Sequence, residues 1–283
     1  MKVFEDCLLA SDIDETLVID GVVPERNFEK IAFFIENGGA FSLASGRLPS
    51  GAAGIAGQFK KLSPSVLGNG SLIYDFKGGK TIFEHTLSKN DYPVIRAVKD
   101  NFPHVGIECF YRDIVYVLNG GERISEHLEY ESMTPQYISL SELDSLKLNK
   151  ALFMCRDGEE AERIKSFAAT VAKESRLCNT SFKIAGSPRY VVEQIPENIS
   201  KASAVIKLAE LLNIKKGCIY TIGDYYNDIE MIKAADIGAV TADAPDELKS
   251  AAAFVTGKAE NGAVADFIDY LTFRKEAENE GRD

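Results

Sequence analysis

Short apolar runs and helically spaced apolar faces alternate through the first eighty residues. Residues 8–10 (Leu-Leu-Ala) form one such run and predict a strand. Over residues 27–37, the apolar positions Phe28, Ile31, Ala32 and Ile35 fall at helical spacing, and Gly38-Gly39 supplies a stop signal. Residues 40–44 predict a second strand, and residues 50–61, introduced by Pro49, a second helix. Val66-Leu67 and residues 72–74 flank Gly68-Asn69-Gly70-Ser71, a strong turn signal. Strand and helix in alternation argue for parallel α/β units.

The pattern changes from about Glu84 to Gly186. Strands at 105–110, 114–118 and 152–155 mix with helices at 92–101 and 158–175, and no motif there is shared with the flanks. From Tyr190 the earlier style returns, with helices predicted at 201–212, 228–235, 244–253 and 263–271 and strands at 218–222 and 237–240. The reading is an α/β protein whose Rossmann-like parallel-sheet core (residues 1–83 and 187–283) is interrupted by an inserted α+β domain (residues 84–186). The tail from Arg274 is charged and expected to fray. No internal repeat or low-complexity stretch is present.

Composition narrows the function. An apolar fraction of 45% with 27% charged residues suits a soluble globular protein. A net charge of −11 argues against nucleic acid as partner, since that requires a basic stripe. A small anionic ligand stays open, because a local cluster of cations can reverse the field inside one cleft. The five cysteines (Cys7, Cys109, Cys155, Cys178, Cys218) show no Cys-x-x-Cys and no zinc spacing, so reduced thiols in a cytoplasmic protein are expected. No stretch reaches signal-peptide or membrane-span length, so the sequon Asn179-Thr180-Ser181 carries no weight.

The chemistry gathers at strand ends. Asp12-Ile13-Asp14-Glu15-Thr16 follows the first apolar run, Ser45-Gly46-Arg47 the second, and Gly223-Asp224-Tyr225-Tyr226-Asn227-Asp228 a third, while Lys201 opens a helix. In an open parallel sheet, ligands collect beyond the carboxyl ends of the strands, so these loops converge on one edge. Asp12 is a candidate nucleophile that would form an acyl phosphate. Asp14 is placed to protonate the leaving oxygen and then activate water. Asp12, the Asp14 backbone carbonyl, Asp224 and, through a water, Asp228 are hard oxygen donors suited to Mg²⁺. Ser45 and Lys201 would hold phosphate oxygens, and Asn227 would position Lys201 or a phosphate oxygen.

Each motif alone has a structural explanation. Asp-x-Asp before Thr is often a turn or an N-cap, Ser45-Gly46-Arg47 suits any strand exit, a lone lysine is usually solvated, and Gly223-Asp224 suits a turn. Their order and shared placement carry the functional reading. Gly51, Gly54 and Gly57 read as a small-residue helix face rather than a phosphate loop. His85, His104 and His127 all lie in the insert, which disfavours a Ser-His-Asp hydrolase or a His-ligated metal. Glu122, Glu126, Glu129 and Glu131 read as a solvated face.

With these residues in place, the chain resembles the haloacid dehalogenase (HAD) superfamily of phosphohydrolases, and within it the Cof-type subfamily with a type IIB (C2) cap. Asp12-x-Asp14-x-Thr16 matches motif one, Ser45-Gly46-Arg47 motif two, Lys201 motif three, and Gly223-Asp224-x-x-Asn227-Asp228 motif four. The resemblance implies a Mg²⁺-dependent aspartyl-phosphate mechanism with Asp12 and Asp14 catalytic. It also implies a phosphate-binding set of Thr16, Ser45, Gly46, Arg47, Lys201 and Asn227, and a metal set of Asp12, Asp14, Asp224 and Asp228. The expected activity is hydrolysis of a small phosphorylated metabolite such as a sugar phosphate, without nucleic acid or membrane. The cap would close about hinges near 81–84 and 186–190 and set selectivity. A phosphomutase, a receiver-like phospho-acceptor and a metabolite-binding protein are the alternatives. Two positions depart from the subfamily: Glu15, where Gly is usual, and Val240-Thr241-Ala242-Asp243, which replaces a Met-Gly-Asn-Ala-type stretch.

Overall fold

The structure, a computed structural model, describes residues 2–130, 133–184 and 187–280. Its contacts divide the chain into two compact units. One holds the chain up to Gly46, Ala52–Ile82 and everything from Ser200 on; the other holds Arg47–Gly51 and Phe83–Ile199.

The chain opens with β1 (Leu8–Ser11), α1 (Glu25–Glu36), β2 (Ala40–Leu43) and α2 (Pro49–Ala56). A hairpin of β3 (Ser65–Leu67) and β4 (Leu72–Asp75) follows, then β5 (Lys80–Glu84), which completes a small three-stranded sheet. The second unit adds α3 (Tyr92–Asn101), β6 (Gly106–Tyr111), β7 (Ile114–Asn119), α4 (Glu122–Tyr130), β8 (Gln136–Tyr137) and α5 (Leu140–Leu143). It continues with β9 (Lys150–Cys155), α6 (Gly158–Val171), β10 (Arg176–Ile184) and β11 (Ser187–Ile195). The first unit resumes with α7 (Lys201–Leu211), β12 (Ile219–Gly223), α8 (Ile229–Ala234), β13 (Ile237–Val240), α9 (Asp246–Ala251), β14 (Phe254–Val255) and α10 (Ala263–Glu280).

The first unit is an α/β core. Its five strands run parallel in the order β14-β13-β12-β1-β2. β1 and β12 are buried along nearly their whole length, which is why they read as continuous apolar runs. Phe4, Leu9, Phe34, Phe41, Tyr220 and Phe267 belong to its main hydrophobic cluster. From the centre the chain progresses outward one way through β1 and β2 and the other way through β12, β13 and β14. The topological switch point therefore lies between β1 and β12.

The second unit is α+β, with a six-stranded sheet in the order β10-β11-β9-β6-β7-β8. One face packs on α3 and α6 through Ile95, Val98, Phe153 and Ile164. The other carries Phe110, Leu152, Met154 and Val191 together with Ile124 and Leu128 of α4.

Several elements differ from the sequence reading. α2 ends at Ala56 rather than 61, because Gly54 and Gly57 weaken the helix and tight bonds from Gln58 and Phe59 close its last turn. Phe59 is thereby released to pack on Phe28 and Phe41. α6 ends at Val171 rather than 175, and Ser175 instead donates to Asp91 at 2.6 Å. α10 runs to Glu280 through the charged tail expected to fray. β11 pairs with β9 and β10, so residues 187–199 group with the second unit instead of rejoining the core after 186. Gly186 and Glu131 lie outside the described residues. Of the acids within α4, Glu122 and Glu129 are exposed, while Glu126 accepts from Arg189 at 2.8 Å. Among the described residues no helix is long and apolar enough to cross a membrane.

Candidate active site

Asp12 is the first residue beyond β1, and its backbone N–H still donates to the Ile222 carbonyl of β12 at 3.0 Å. Asp224 is the first residue beyond β12. The two carboxylates therefore leave adjacent parallel strands at the switch point. Asp228 completes the group: Asp12, Asp224 and Asp228 each offer a carboxylate oxygen, all within 4.8 Å of one another.

Lys201 enters this acidic cluster from the first turn of α7. Ser200 caps that helix by accepting from the Ser203 N–H, which fixes where the lysine side chain begins. Its Nζ donates to Asp12 Oδ1 at 2.8 Å and to Asp228 Oδ1 at 2.6 Å, with the lysine side chain only 1% exposed. Burial opposes the ammonium charge, but Asp12 and Asp228 outweigh it and hold the lysine above its ordinary range. The carboxylates move up as well. Burial and the neighbouring Asp228 push Asp12 up to about 7, and burial with Asp12 and Asp228 raises Asp224. Three carboxylates, two of them buried and that of Asp224 half-buried, face one ammonium, so the cluster is short of positive charge.

Asp228 is engaged on both oxygens. Oδ2 accepts the backbone N–H groups of Asp224 and Tyr225 at 3.1 and 3.3 Å, while Oδ1 holds Lys201. Gly223 is required here, because a Cβ would stand 2.4 Å from Asp228 Cγ. Thr16 is fully buried and donates to Asp224 Oδ1 at 2.8 Å, tying the loop after β1 to the loop after β12.

Ser45 is buried two residues beyond β2; its N–H donates to Val66 and its carbonyl accepts from Asn69. Gly46 packs against the Asn69 side chain. The β3–β4 turn that carries Asn69 has three successive left-handed residues, Gly68 (φ 57°), Asn69 (φ 52°) and Gly70 (φ 101°). Gly70 presses on the Ser200 carbonyl so closely that a Cβ would lie 2.2 Å from it. The turn thus supports both Ser45-Gly46 and the start of the Lys201 helix, a role for Asn69 that the residue pattern signalled only as a turn.

The remaining predicted site residues are less closely joined. Asp14 and Asn227 are half-buried. The Asp14 carboxylate is not part of the three-carboxylate group. Arg47 groups with the second unit, where its Nη1 donates to the Gly51 carbonyl at 2.9 Å. Glu15 is exposed with φ 56°, a left-handed conformation that explains why glycine suits this position. Thr241 is buried beside Gly223, and its Oγ1 has no hydrogen-bond partner among the described residues. Of the histidines, His85 is exposed, His104 pairs with Glu160 at 2.6 Å and His127 with Glu108 at 2.7 Å.

The donor set is all hard oxygen, largely buried, and deficient in positive charge, which fits a divalent cation such as Mg²⁺. Asp12 and Asp224 are the side chains that would hold it, since Asp228 is committed to Lys201 and the loop.

Comparison with known proteins identifies the family. Residues 9–268 match the sequence profile of the haloacid dehalogenase-like hydrolases. The 5-amino-6-(5-phospho-D-ribitylamino)uracil phosphatase YwtE of Bacillus subtilis is 25% identical over 287 residues, covering 93% of this chain and 97% of that protein. The HAD subclass IIB sugar phosphatase BT4131 superposes with a TM-score of 0.81 at 15% identity, over 94% of this chain and 98% of that one. BT1666 from Bacteroides thetaiotaomicron, described among HAD phosphatases, gives 0.77 at 19% identity over 95% and 96%.

Proposed function

From the premise that this chain belongs to the haloacid dehalogenase-like hydrolases, we propose that it is a Mg²⁺-dependent phosphatase that cleaves a small phosphorylated metabolite through a phosphorylated Asp12. The enzyme class itself, a phosphomonoester hydrolase, follows from the family match and the phosphatase relatives. The observation that carries the proposal is the Lys201-bridged carboxylate cluster at the switch point of the sheet.

Lys201 holds Asp12 Oδ1, which leaves Oδ2 to attack phosphorus. The phosphorus–oxygen bond to the leaving group breaks as the bond to Asp12 forms, and Asp14 donates its proton to the departing oxygen. Asp14 then takes a proton from water, which attacks the aspartyl phosphate, releasing phosphate and restoring the Asp12 carboxylate. Ser45, the Gly46 N–H, Thr16, Asn227 and Arg47 are the proposed phosphate-binding groups, with Thr16 acting through Asp224 in the geometry described. Mg²⁺, when bound by Asp12 and Asp224, supplies the positive charge that the cluster lacks and that phosphoryl transfer demands. Sugar phosphates and related polyol phosphates are the proposed substrates, in keeping with the named activities of the relatives.

Phosphate release from p-nitrophenyl phosphate and a panel of phosphorylated metabolites, with and without Mg²⁺, tests the reading. Turnover that requires Mg²⁺ and disappears in Asp12→Asn is the expected result. Turnover that survives in Asp12→Asn removes the aspartyl-phosphate route. Isomerised sugar phosphate without free phosphate would mark a mutase instead.

A further inference from the structure

The opposite ends of the same two central strands carry a second cluster that the phosphatase reading does not use. Cys7 directly precedes β1 and Cys218 directly precedes β12. The parallel register that pairs Leu8 with Ile219 extends back to these cysteines, and the Leu8 N–H donates to the Cys218 carbonyl at 2.9 Å. The side chains at 7 and 218 therefore project from adjacent strands on one face. Both strand entries are fixed by left-handed residues, Asp6 (φ 59°) and Gly217 (φ 84°), and the Lys215 N–H donates to the Asp6 carbonyl. The two turns thus bring the cysteines together.

The side chains confirm the juxtaposition. The Tyr220 hydroxyl lies 3.7 Å from Cys7 Sγ, and burial, with the neighbouring Cys218, raises the Cys7 thiol. Lys275 of α10 reaches in from the helix and donates from Nζ to Cys218 Sγ at 3.7 Å. Cys7 is 1% exposed and Cys218 8%, so Cys218 is the more accessible of the pair. Adjacent strands lie roughly 4.8 Å apart, inside the Cα separation of about 4.4–6.8 Å that a disulfide requires. Burial and the neighbouring Cys218 push the Cys7 thiol up to about 12, which keeps it a protonated thiol until a partner sulfur is activated.

We propose that Cys7 and Cys218 form a peroxide-responsive dithiol, which closes to an intramolecular disulfide at the feet of β1 and β12. Cys218 sulfur, beside the Lys275 ammonium, attacks the O–O bond of a hydroperoxide. The O–O bond breaks, the distal oxygen stays on sulfur as a sulfenic acid, and the other oxygen leaves as water or an alcohol carrying the thiol proton. Cys7 sulfur then attacks the sulfenic sulfur, the S–S bond forms, and the hydroxyl leaves as water with the Cys7 proton. Two thiols are oxidised by two electrons in total and one hydroperoxide is reduced by two. The new bond ties together the two strands whose far ends deliver Asp12 and Asp224, and closes a loop of about two hundred residues in the unfolded chain.

The experiment treats the intact protein with hydrogen peroxide, alkylates remaining thiols under denaturing conditions, and maps the peptides by mass spectrometry. The expected result is loss of two of the five alkylatable thiols, a Cys7–Cys218 cross-linked peptide, and a raised unfolding midpoint, all reversed by dithiothreitol. Cys218→Ser and Cys7→Ser each abolish the cross-link, and Lys275→Gln slows its formation several-fold. The wild type alone decides the matter if a variant fails to fold. Five alkylatable thiols after peroxide, a sulfinic acid at Cys218 without the cross-link, or pairing of either cysteine with Cys178 would overturn the proposal.

Discussion

Lys201 is the residue on which the charge balance of the site turns. Removing its ammonium leaves Asp12 and Asp228 facing one another in a buried space with nothing between them. Breaking a buried ion pair from one side costs about 3–5 kcal/mol. Lys201→Met should therefore lower the urea-unfolding free energy of the metal-free protein by that order and reduce kcat by roughly 10²–10³. A variant with full activity would refute the bridge. Glu15 makes an opposite case. It is exposed and left-handed, which for a non-glycine residue costs roughly 1–2 kcal/mol. Glu15→Gly should raise the thermal midpoint and gain about 1 kcal/mol, measured by chemical denaturation. The sequence could name both positions, Lys201 from motif order and Glu15 as a departure from the subfamily. Only three dimensions show that the lysine joins two carboxylates, and that the glutamate is a backbone problem.

At the scale of elements, what the sequence made legible follows burial. β1, β2 and β12 are short, apolar and buried, and they were readable along with the site residues at their ends. β10 and β11 mix polar and apolar positions, and β14 is only two residues long, so neither apolar runs nor helical spacing exposed them. The Gly68–Gly70 turn was legible as a turn, but not as the prop beneath Ser45 and α7. Its close approach to Ser200 gives a sharp test. Gly70→Ala places a methyl 2.2 Å from a backbone oxygen at φ 101°, and should cost about 2 kcal/mol or more together with a measurable loss of kcat. Gly79→Ala is the control. It also has positive φ (61°) but faces open space, so its effect should stay near about 1 kcal/mol with activity intact. Equal effects of the two substitutions would mean the turn does not support the site.

For the whole molecule, the two units have separate buried cores, and their stabilities respond to different ligands and protons. Mg²⁺ bound at the carboxylate cluster should stabilise the first unit by mass action, about 2.7 kcal/mol at a hundredfold excess over Kd. Calorimetry should show the unfolding of that unit moving up in Mg²⁺, with the shift lost in Asp224→Asn. The second unit carries its own acid-sensitive lock. The Glu160 side chain is fully buried in a network with Arg156, His104 and Arg163. Burial works against its charge, but hydrogen bonds from Arg156 and His104 prevail and hold it down to about 2, below the ordinary 4.5. A carboxylate held down in the folded state contributes stability that is complete above pH 4.5 and disappears as pH falls toward 2. The contribution, of the order of 3 kcal/mol, should be absent in Glu160→Gln. Unfolding free energies measured from pH 6 to pH 2.5 should therefore diverge most at pH 6 and converge at the acid end. Glu160 lies within the second unit, so the difference between wild type and variant should appear in the transition of that unit. A pH-independent gap between wild type and variant would assign the loss of stability to packing rather than to charge.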